Sequence, residues 1–180
     1  MEQNLQRDLV ELLEKQAISE LVFAYSRAVD RHDFNLLRTL YTQDGIDDHG
    51  GIFCGPAPAF VDWLETAMKD VDTSHSVHNH VIKVHGDTAE GEVYVTAYNR
   101  IPDGERAFKE FIQGLRYIDQ YRKTAGRWQF VLRTVVVDWA QLRPALWDFQ
   151  NPLLKGKKPA QGGPGDPSYR LLADSLFARS

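Results

Sequence analysis

The chain has 180 residues, which corresponds to one domain by the rough rule of ~150 residues per domain. Hydrophobic residues make up 43% of the chain and charged residues 26%, and this ordinary globular composition excludes disorder, collagen and a disulfide scaffold. The net charge of −4 gives no electrostatic reason to bind a polyanion, so nucleic acid is not an expected partner.

The single cysteine, Cys54, excludes an intrachain disulfide and every zinc or redox motif that needs two cysteines. The N-terminus carries acidic residues where a signal peptide needs a basic start, and no stretch approaches the ~18 apolar residues of a membrane span. We therefore predict a cytoplasmic protein with no membrane partner.

Helices are predicted at the start of the chain. Apolar residues recur at three- and four-residue intervals from Leu5 to Val29, which is typical of an amphipathic helix. Asp33 is the expected N-cap of a second helix over Phe34–Tyr41, and the turn Thr42-Gln43-Asp44-Gly45 would end it.

Strands dominate the middle of the chain. A first strand is predicted over Ile46–Cys54, before a third helix over Ala59–Met68. Four segments rich in Val, Ile, Tyr, Phe and Thr then predict strands joined by short turns: Val77–Val84, Glu92–Arg100, Phe108–Lys123 and Trp128–Trp139. This order predicts an α+β fold in which a curved antiparallel sheet wraps around the N-terminal helices as an α+β barrel, leaving a cone-shaped pocket.

The composition changes near the C-terminus. We predict a domain over residues 1–142 and a tail over 143–180, in which Asn151–Ser168 is rich in Gly, Pro and Lys and Tyr169–Phe177 forms a short helix. Such a segment is typical of a surface-packed arm or a clamp swapped between subunits.

Asp30 and His75 are the first candidates for chemistry. A carboxylate that holds one imidazole nitrogen fixes the tautomer, so the other nitrogen can take a proton near neutral pH. The alternative is that Asp30 is a residue of the turn after the first helix, in contact with Arg27 or Arg31.

Other histidines have several interpretations. His78 and His80 are two apart on a predicted strand, so they would share a face that His75 does not, unless a bulge intervenes. They could chelate a metal, or one could line the pocket while the other lies at the sheet surface. Nothing fixes further ligands, so we predict no metal. Asp48 and His49 alternate on their strand, so only one can face the pocket.

Several of these residues together form a pattern that resembles a known family. The sequence from Leu5 to Trp139 resembles the SnoaL-like family of the nuclear transport factor 2-like superfamily. It is similar to scytalone dehydratase, bile acid 7α-dehydratase and hexachlorocyclohexane dehydrochlorinase. The matching features are Tyr25-(x4)-Asp30, Asp44–Gly50, Gly55, His75 and Tyr121-(x6)-Trp128-(x4)-Arg133.

The resemblance implies roles for four residues. The family's catalytic aspartate and histidine fall on Asp30 and His75, a tyrosine of the bile acid enzyme falls on Tyr25, and an arginine of the dehydrochlorinase falls on Arg133. Arg133 has an alternative role as the ion-pair partner of Asp119 or Asp138. The dehydratases carry another acid or histidine on the third strand, where this chain offers only hydroxyls and an amide.

The resemblance implies a lyase or isomerase that needs no cofactor. It would act on a hydrophobic, ring-containing small molecule as a homo-oligomer, either a trimer or a dimer. Further pocket residues are expected at His49, Trp63, His78 and Tyr98. The alternative function is a non-catalytic ligand-binding or assembly subunit that resembles the small subunit of aromatic-ring dioxygenases.

Overall fold

The structure is a computed structural model that describes residues 2–105, 107–145 and 151–172. Its helices and strands form a mixed α+β fold, with the helices concentrated near the N-terminus, as predicted. In chain order they are α1 (Glu2–Asp30), α2 (Phe34–Thr39), β1 (Tyr41–Asp48), β2 (Cys54–Pro56), α3 (Ala57–Ala67), β3 (Asp72–His85), β4 (Thr88–Pro102), β5 (Phe108–Thr124), β6 (Arg127–Pro144) and α4 (Ser168–Leu171). No helix of the described residues has the length and apolarity needed to cross a bilayer.

The six strands form one curved, open sheet in the order β2-β1-β6-β5-β4-β3. Strands β3 to β6 form an antiparallel meander, and the turns at Gly86, Gly104 and Gly126 place these glycines at positive φ. Strand β1 pairs in parallel with β6, which adds one parallel pair to the antiparallel sheet that the sequence predicts. Helix α1 packs against this sheet, so the cone interior lies between them.

Strand β1 begins earlier than predicted. The expected turn over Thr42–Gly45 belongs to the strand, because β1 continues through an irregularity in its pairing with β6. Gly45 permits this close approach, since a Cβ there would lie 2.9 Å from the carbonyl oxygen of Thr42. The predicted strand over Ile46–Cys54 is also interrupted after Asp48, whose carboxylate accepts a hydrogen bond from the Gly50 amide at 2.9 Å, and resumes as β2.

The second half of α1 supplies the helical part of the core. Ile18, Val22, Tyr25 and Ala28 are buried, as the apolar spacing predicts. The first half behaves differently, because its apolar side chains are each at least 50% exposed in the single chain: Leu5, Leu9, Leu12 and Leu13. The amphipathic pattern therefore predicts the helix correctly. The helix is longer than the part whose apolar side chains are buried within this chain.

The end of α1 is fixed by a left-handed residue. His32 has φ +52, and the Asp33 amide donates to the Ala28 carbonyl at 2.8 Å, which closes the helix in the manner of a Schellman motif. Asp33 then caps α2 by accepting a hydrogen bond from the Leu36 amide at 3.0 Å, as predicted. This geometry leaves Asp30 on the last turn of α1, beside the start of β3.

A β-bulge divides strand β3. The pairing with β4 runs from Val77↔Val95 directly to His80↔Val93, so one extra residue is accommodated on β3. The extra residue shifts the alternation of the residues after it, which turns His80 toward α1 like His75, while His78 lies on the exposed face by ordinary alternation from His75. The expectation that His78 and His80 share a face is therefore wrong, and the bulge is the reason.

The tail is ordered against the domain over residues 151–172. It contains two short 3-10 turns, Pro152–Leu154 and Gly163–Gly165, before α4. Helix α4 covers only the start of the predicted helix Tyr169–Phe177, and residues 173–180 lie outside the described residues. The tail packs on the chain's own helix α1, through contacts such as the 3.3 Å hydrogen bond from Arg27 to Ser168.

Candidate active site

Asp30 and His75 meet at the junction of α1 and β3. The Asp30 Oδ1 atom lies 2.6 Å from His75 Nδ1, and Oδ2 accepts a hydrogen bond from the His75 backbone amide at 2.9 Å. The Thr73 hydroxyl donates to Oδ1 at 2.8 Å. The carboxylate is therefore held by three donors on one strand, which fixes both the imidazole ring and its tautomer.

The electrostatics of the Asp30–His75 pair favour an ionised carboxylate. Burial is the largest single influence and raises the pKa of Asp30, but the hydrogen bonds from His75 and Thr73 together outweigh it, so the pKa lies below its ordinary value. Nε2 of His75 makes no hydrogen bond with any described residue. The pair thus presents one free imidazole nitrogen, oriented by a charged acid.

A cavity of about 960 Å³ opens beside Asp30. Its volume lies within the range of about 300–1,000 Å³ that is common for small-molecule sites. The cavity is lined by the end of α1 (Asp30–His32), the start of β3 (Asp72–Ser74), the end of β4 (Tyr98 and Arg100) and the tail (Leu154 and Lys157–Gly162).

Deeper in the cone, aromatic rings fill the interior. Tyr25 makes edge-on contacts with Tyr41, Tyr117 and Phe130, at centroid distances of 6.4, 5.9 and 5.8 Å. Burial raises the pKa of Tyr25 well above its ordinary value, and the nearby Asp47 carboxylate adds to this effect. The phenol therefore remains a neutral hydrogen-bond donor at physiological pH.

Arg133 lies in this aromatic layer and is fully buried. Its Nε and Nη2 atoms donate to the two carboxylate oxygens of Asp119 at 2.9 and 2.7 Å. The guanidinium carbon lies 4.0–4.1 Å from the ring centroids of Tyr25, Tyr117 and Phe130. Nη1 is buried and has no hydrogen-bond partner among the described residues. The geometry is that of a structural ion pair with one spare donor.

A second acid–histidine pair lies at the end of β1. His49 Nδ1 contacts the Asp47 carboxylate, which is fully buried and also accepts a hydrogen bond from Tyr41 at 2.6 Å. The His49 ring stacks on Phe60 at 4.9 Å. Asp47 and His49 share the inner face of the strand end, and neither lines the cavity beside Asp30.

Comparison with known proteins places this arrangement in a family. The SnoaL-like domain family matches residues 10–134, which is more than half of the chain. The chain belongs to the SnoaL-like domain family. Its fold is that of the nuclear transport factor 2-like superfamily, as the sequence predicts.

Individual relatives of this SnoaL-like chain differ in what their names state. An uncharacterized protein of Mycobacterium tuberculosis (strain H37Rv) is 29% identical over 129 residues, covering 69% of this chain and 86% of the relative. A crystal structure of a putative scytalone dehydratase from Novosphingobium aromaticivorans is 25% identical, with a TM-score of 0.66, and covers 73% of this chain and 88% of the other. A hexachlorocyclohexane dehydrochlorinase from Novosphingobium barchaimii is 20% identical, with a TM-score of 0.64, and the match covers 78% of this chain and 96% of the dehydrochlorinase.

The remaining predicted pocket residues of the SnoaL-like chain have different locations. Tyr98 lines the cavity, and its hydroxyl donates to Glu110 at 3.2 Å. Trp63 packs on Phe53 and Phe60, away from the cavity. His78 lies on the exposed face of β3, 2.8 Å from the Thr96 hydroxyl. Of the four expected pocket residues, only Tyr98 therefore lines this cavity; His78 is exposed because it lies on the face of β3 opposite to His75.

His80 takes the inner position that the bulge creates. Its ring nitrogens lie 3.3 Å from the Ser19 hydroxyl and 3.2 Å from the Tyr121 hydroxyl. Burial lowers the pKa of His80 to about 4, so the ring is neutral at physiological pH. No group of three or more His, Cys, Asp or Glu side chains among residues 2–105, 107–145 and 151–172 is placed to hold a metal ion.

The sequence patterns missed three residues of the site. Thr73 supports Asp30 from the start of β3, two residues before His75, and this same-face spacing on a strand was the available signal. Lys157 and Lys158 reach the cavity from the tail. No local pattern indicates that contact, because it depends on where the tail crosses the end of α1.

Proposed function

We propose that the protein is a cofactor-independent lyase or isomerase that uses His75 as the base on a hydrophobic, ring-containing small molecule. The observation that carries this proposal is the 2.6 Å contact between Asp30 and His75 beside a cavity large enough for such a molecule. The names of the putative scytalone dehydratase and the dehydrochlorinase support the same class of reaction.

The proposed reaction begins with proton abstraction next to a carbonyl or another activating group. Nε2 of His75 takes the proton, and Asp30 stabilises the imidazolium through Nδ1. In a lyase the C–H electron pair forms a double bond as hydroxide or halide leaves, and a leaving hydroxide takes up a proton to become water. In an isomerase the proton returns to another carbon of the same molecule.

Tyr25 and Arg133 would act from the inner end of the cone. The neutral Tyr25 phenol is a donor for a substrate oxygen or a leaving group, and the spare Nη1 of Arg133 is a donor for a developing anion. Their burial in the aromatic layer means that a substrate must displace neighbouring rings to touch them. The proposal therefore assigns proton abstraction to Asp30–His75. Arg133 acts chiefly through the electrostatic field of its positive charge.

The test is hydrogen–deuterium exchange at carbon, which does not require the leaving group to be known. Cyclic β-hydroxy ketones and ring halides are incubated in D₂O with the wild type, His75→Gln and Asp30→Asn, and exchange and elimination are followed by NMR. We expect His75→Gln and Asp30→Asn to lose about 10²–10⁴-fold in rate. His85→Gln, which changes an exposed histidine, is the matched control. Equal rates in all four proteins would contradict the proposal.

A second candidate function is a non-catalytic assembly subunit, and exposed apolar surface favours it. The first half of α1 and the outer face of the sheet expose large apolar side chains, including Leu12, Leu13, Val81, Val137 and Trp139. In an assembly subunit a larger partner would cover this surface, whereas in the proposed lyase or isomerase a further copy of the chain would cover it in a homo-oligomer. Light scattering of the purified protein tests this, and a stable monomer that co-purifies with a larger subunit would favour the assembly function instead.

A further inference from the structure

The tail segment that covers the cavity is fastened to the end of α1. The Gly163 amide donates to the Arg31 carbonyl at 2.6 Å, which satisfies a carbonyl just beyond the last helical residue. The Arg31 side chain in turn donates to the Gln161 carbonyl at 3.1 Å. Arg31 therefore holds the tail through both its backbone carbonyl and its side chain.

Asp166 is the anchor of this segment. It is only 6% exposed and accepts hydrogen bonds from the Gln161 and Ser168 amides at 3.1 and 2.9 Å, while Arg31 pairs with it at 3.3 Å. A buried carboxylate with this many donors fixes a loop that has few apolar contacts of its own. The tail therefore forms a wall of the cavity that is held by specific hydrogen bonds, even though its sequence is rich in Gly, Pro and Lys.

Gly162 shows how closely the tail crosses α1. A Cβ at this position would lie 2.5 Å from Nδ1 of His32, a distance that real Cβ atoms do not adopt. Only glycine lets the backbone lie flat on the His32 ring, whose Nε2 lies 3.2 Å from the Val71 carbonyl. The segment Lys157–Gln161, immediately before this crossing, is held over the cavity as a result.

Among the described residues, the other charges that line the cavity leave two lysines without an ion-pair partner. Arg100 pairs with Asp72 at 2.7 Å, Arg31 pairs with Asp166, and Asp30 holds His75. Lys157 and Lys158 make no ion pair with any described residue, yet both line the cavity. The chain as a whole carries a net charge of −4, so this unpaired positive charge is a local feature of the tail.

We propose that the cavity binds a small molecule that carries an anionic oxygen group, a carboxylate or a phosphate, with that group held by Lys157 and Lys158 and the ring directed toward Asp30 and His75. This inference rests on the proposed function, because it assigns the same cavity to the substrate. Lysine recognises either group as a point charge, and neutralising the anion at the tail leaves the rest of the cavity beside Asp30 to the apolar part of the molecule.

Binding can be tested without turnover, by NMR titration of ¹⁵N-labelled protein. The probes are 4-oxocyclohexanecarboxylate, its neutral methyl ester and cyclohexyl phosphate. We expect at least one of the two anions to bind about fivefold or more tightly than the ester, and that preference to fall as salt rises from about 0.05 to 0.5 M. The tighter anion identifies which group the site takes. If neither anion is preferred over the ester, the proposal is overturned.

Three single variants locate the effect. Lys157→Gln and Lys158→Gln should each lose about twofold to fivefold of the preference for the anion. Lys155→Gln removes the same charge from the same run of lysines at a residue that does not line the cavity, so it should keep the preference. An equal loss in all three variants would mean attraction by net charge alone and would overturn the site.

The His75→Gln variant separates this inference from the proposed function. It should keep the wild-type preference for the anion over the neutral ester, because that preference comes from the lysines of the tail. Anion binding without carbon–hydrogen exchange in the wild type would contradict the proposed function and leave the anion site supported. Carbon–hydrogen exchange without a preference for the anion would overturn the anion site and leave the proposed function supported.

Discussion

Two buried pairs of an acid with a nitrogen base lie at different depths in the cone. Asp30–His75 lies beside a cavity of about 960 Å³, and one imidazole nitrogen is free. Asp119–Arg133 is fully enclosed by Tyr25, Tyr117 and Phe130, and most of its donors are used within the pair. Both pairs join an acid to a nitrogen base at hydrogen-bond distance, so access to a cavity, more than pairing itself, distinguishes a candidate for chemistry from a candidate for stability.

The largest expected effect is on turnover at the outer pair. Asp30→Asn should lower kcat by about 10²–10⁴-fold, because the amide neither fixes the tautomer nor stabilises the imidazolium. The comparable change in the enclosed pair of β1, Asp47→Asn, should chiefly lower the free energy of unfolding, by about 1–3 kcal/mol, because it weakens the buried contacts with Tyr41 and His49. Steady-state kinetics and urea unfolding of both variants check this, and a kcat loss larger in Asp47→Asn would reverse the assignment.

The inner pair should instead dominate stability. Arg133→Met should lower the free energy of unfolding by about 3–5 kcal/mol, because it leaves the Asp119 carboxylate buried and unpaired. The double variant Arg133→Met/Asp119→Leu should recover much of this loss, since no buried charge is then left alone. Chemical unfolding measures both. If Arg133→Met loses less than about 1 kcal/mol, the pair is not the structural element described here.

A third buried base, His80, has no acid directly paired with it and should behave differently from both. Because its pKa is about 4 in the folded protein, the unfolded chain takes up a proton first as pH falls below about 6.5, and stability falls between pH 6.5 and 4. His80→Gln should remove about 2 kcal/mol of this decrease, after allowance for the partial burial of the ring. Unfolding at several pH values measures it. The exposed His85→Gln should retain the wild-type decrease, and a parallel profile in His80→Gln would contradict the interpretation.

The smallest effect is expected at the tail, on the outer side of the cavity. Hydrogen bonds from Ser168 and Gln161 outweigh burial and lower the pKa of Asp166 to about 2, so the anchor is present above the ordinary aspartate pKa and is lost as pH falls from about 4 to 2. Asp166→Asn should release the tail at neutral pH. The Gly163 amide signal in NMR spectra should then shift while core signals stay in place. An unchanged Gly163 signal would show that other contacts hold the tail.

Much of the fold follows from local patterns in the sequence. The cap at Asp33, the glycine turns and the Val- and Tyr-rich strands are each short-range signals, and each is present in the structure. The contact between Asp30 and His75 joins residues 45 apart, so no local spacing predicts it; the chemistry of the two residue types suggests the pair, and the family resemblance favours it over a turn role for Asp30. Its geometry agrees with that suggestion, while its catalytic use remains a prediction.

Other features depend on tertiary context that no local pattern carries. A bulge shifts which face His80 occupies, and nothing in the alternation of β3 residues indicates where the extra residue lies. Arg133 donates its side-chain hydrogen bonds to Asp119 because the register of β5 and β6 places these two residues opposite each other in the sheet. The sequence predicts a surface-packed arm or a swapped clamp for the tail, but the place where it packs depends on Asp166 and the end of α1 and could not be predicted.

The bulge in β3 divides that strand into two segments, with odd-numbered residues facing α1 before the bulge and even-numbered residues facing it afterwards. The first segment is held at Asp30 through Thr73 and His75, and the second is held where His80 contacts Ser19 and Tyr121. Deletion of one residue at the bulge would restore regular alternation and leave both segments facing α1 as they do now. The bulge therefore absorbs one residue of strand length, and its loss would preserve both the acid–histidine pair at the mouth of the cone and the side chains of its lower wall.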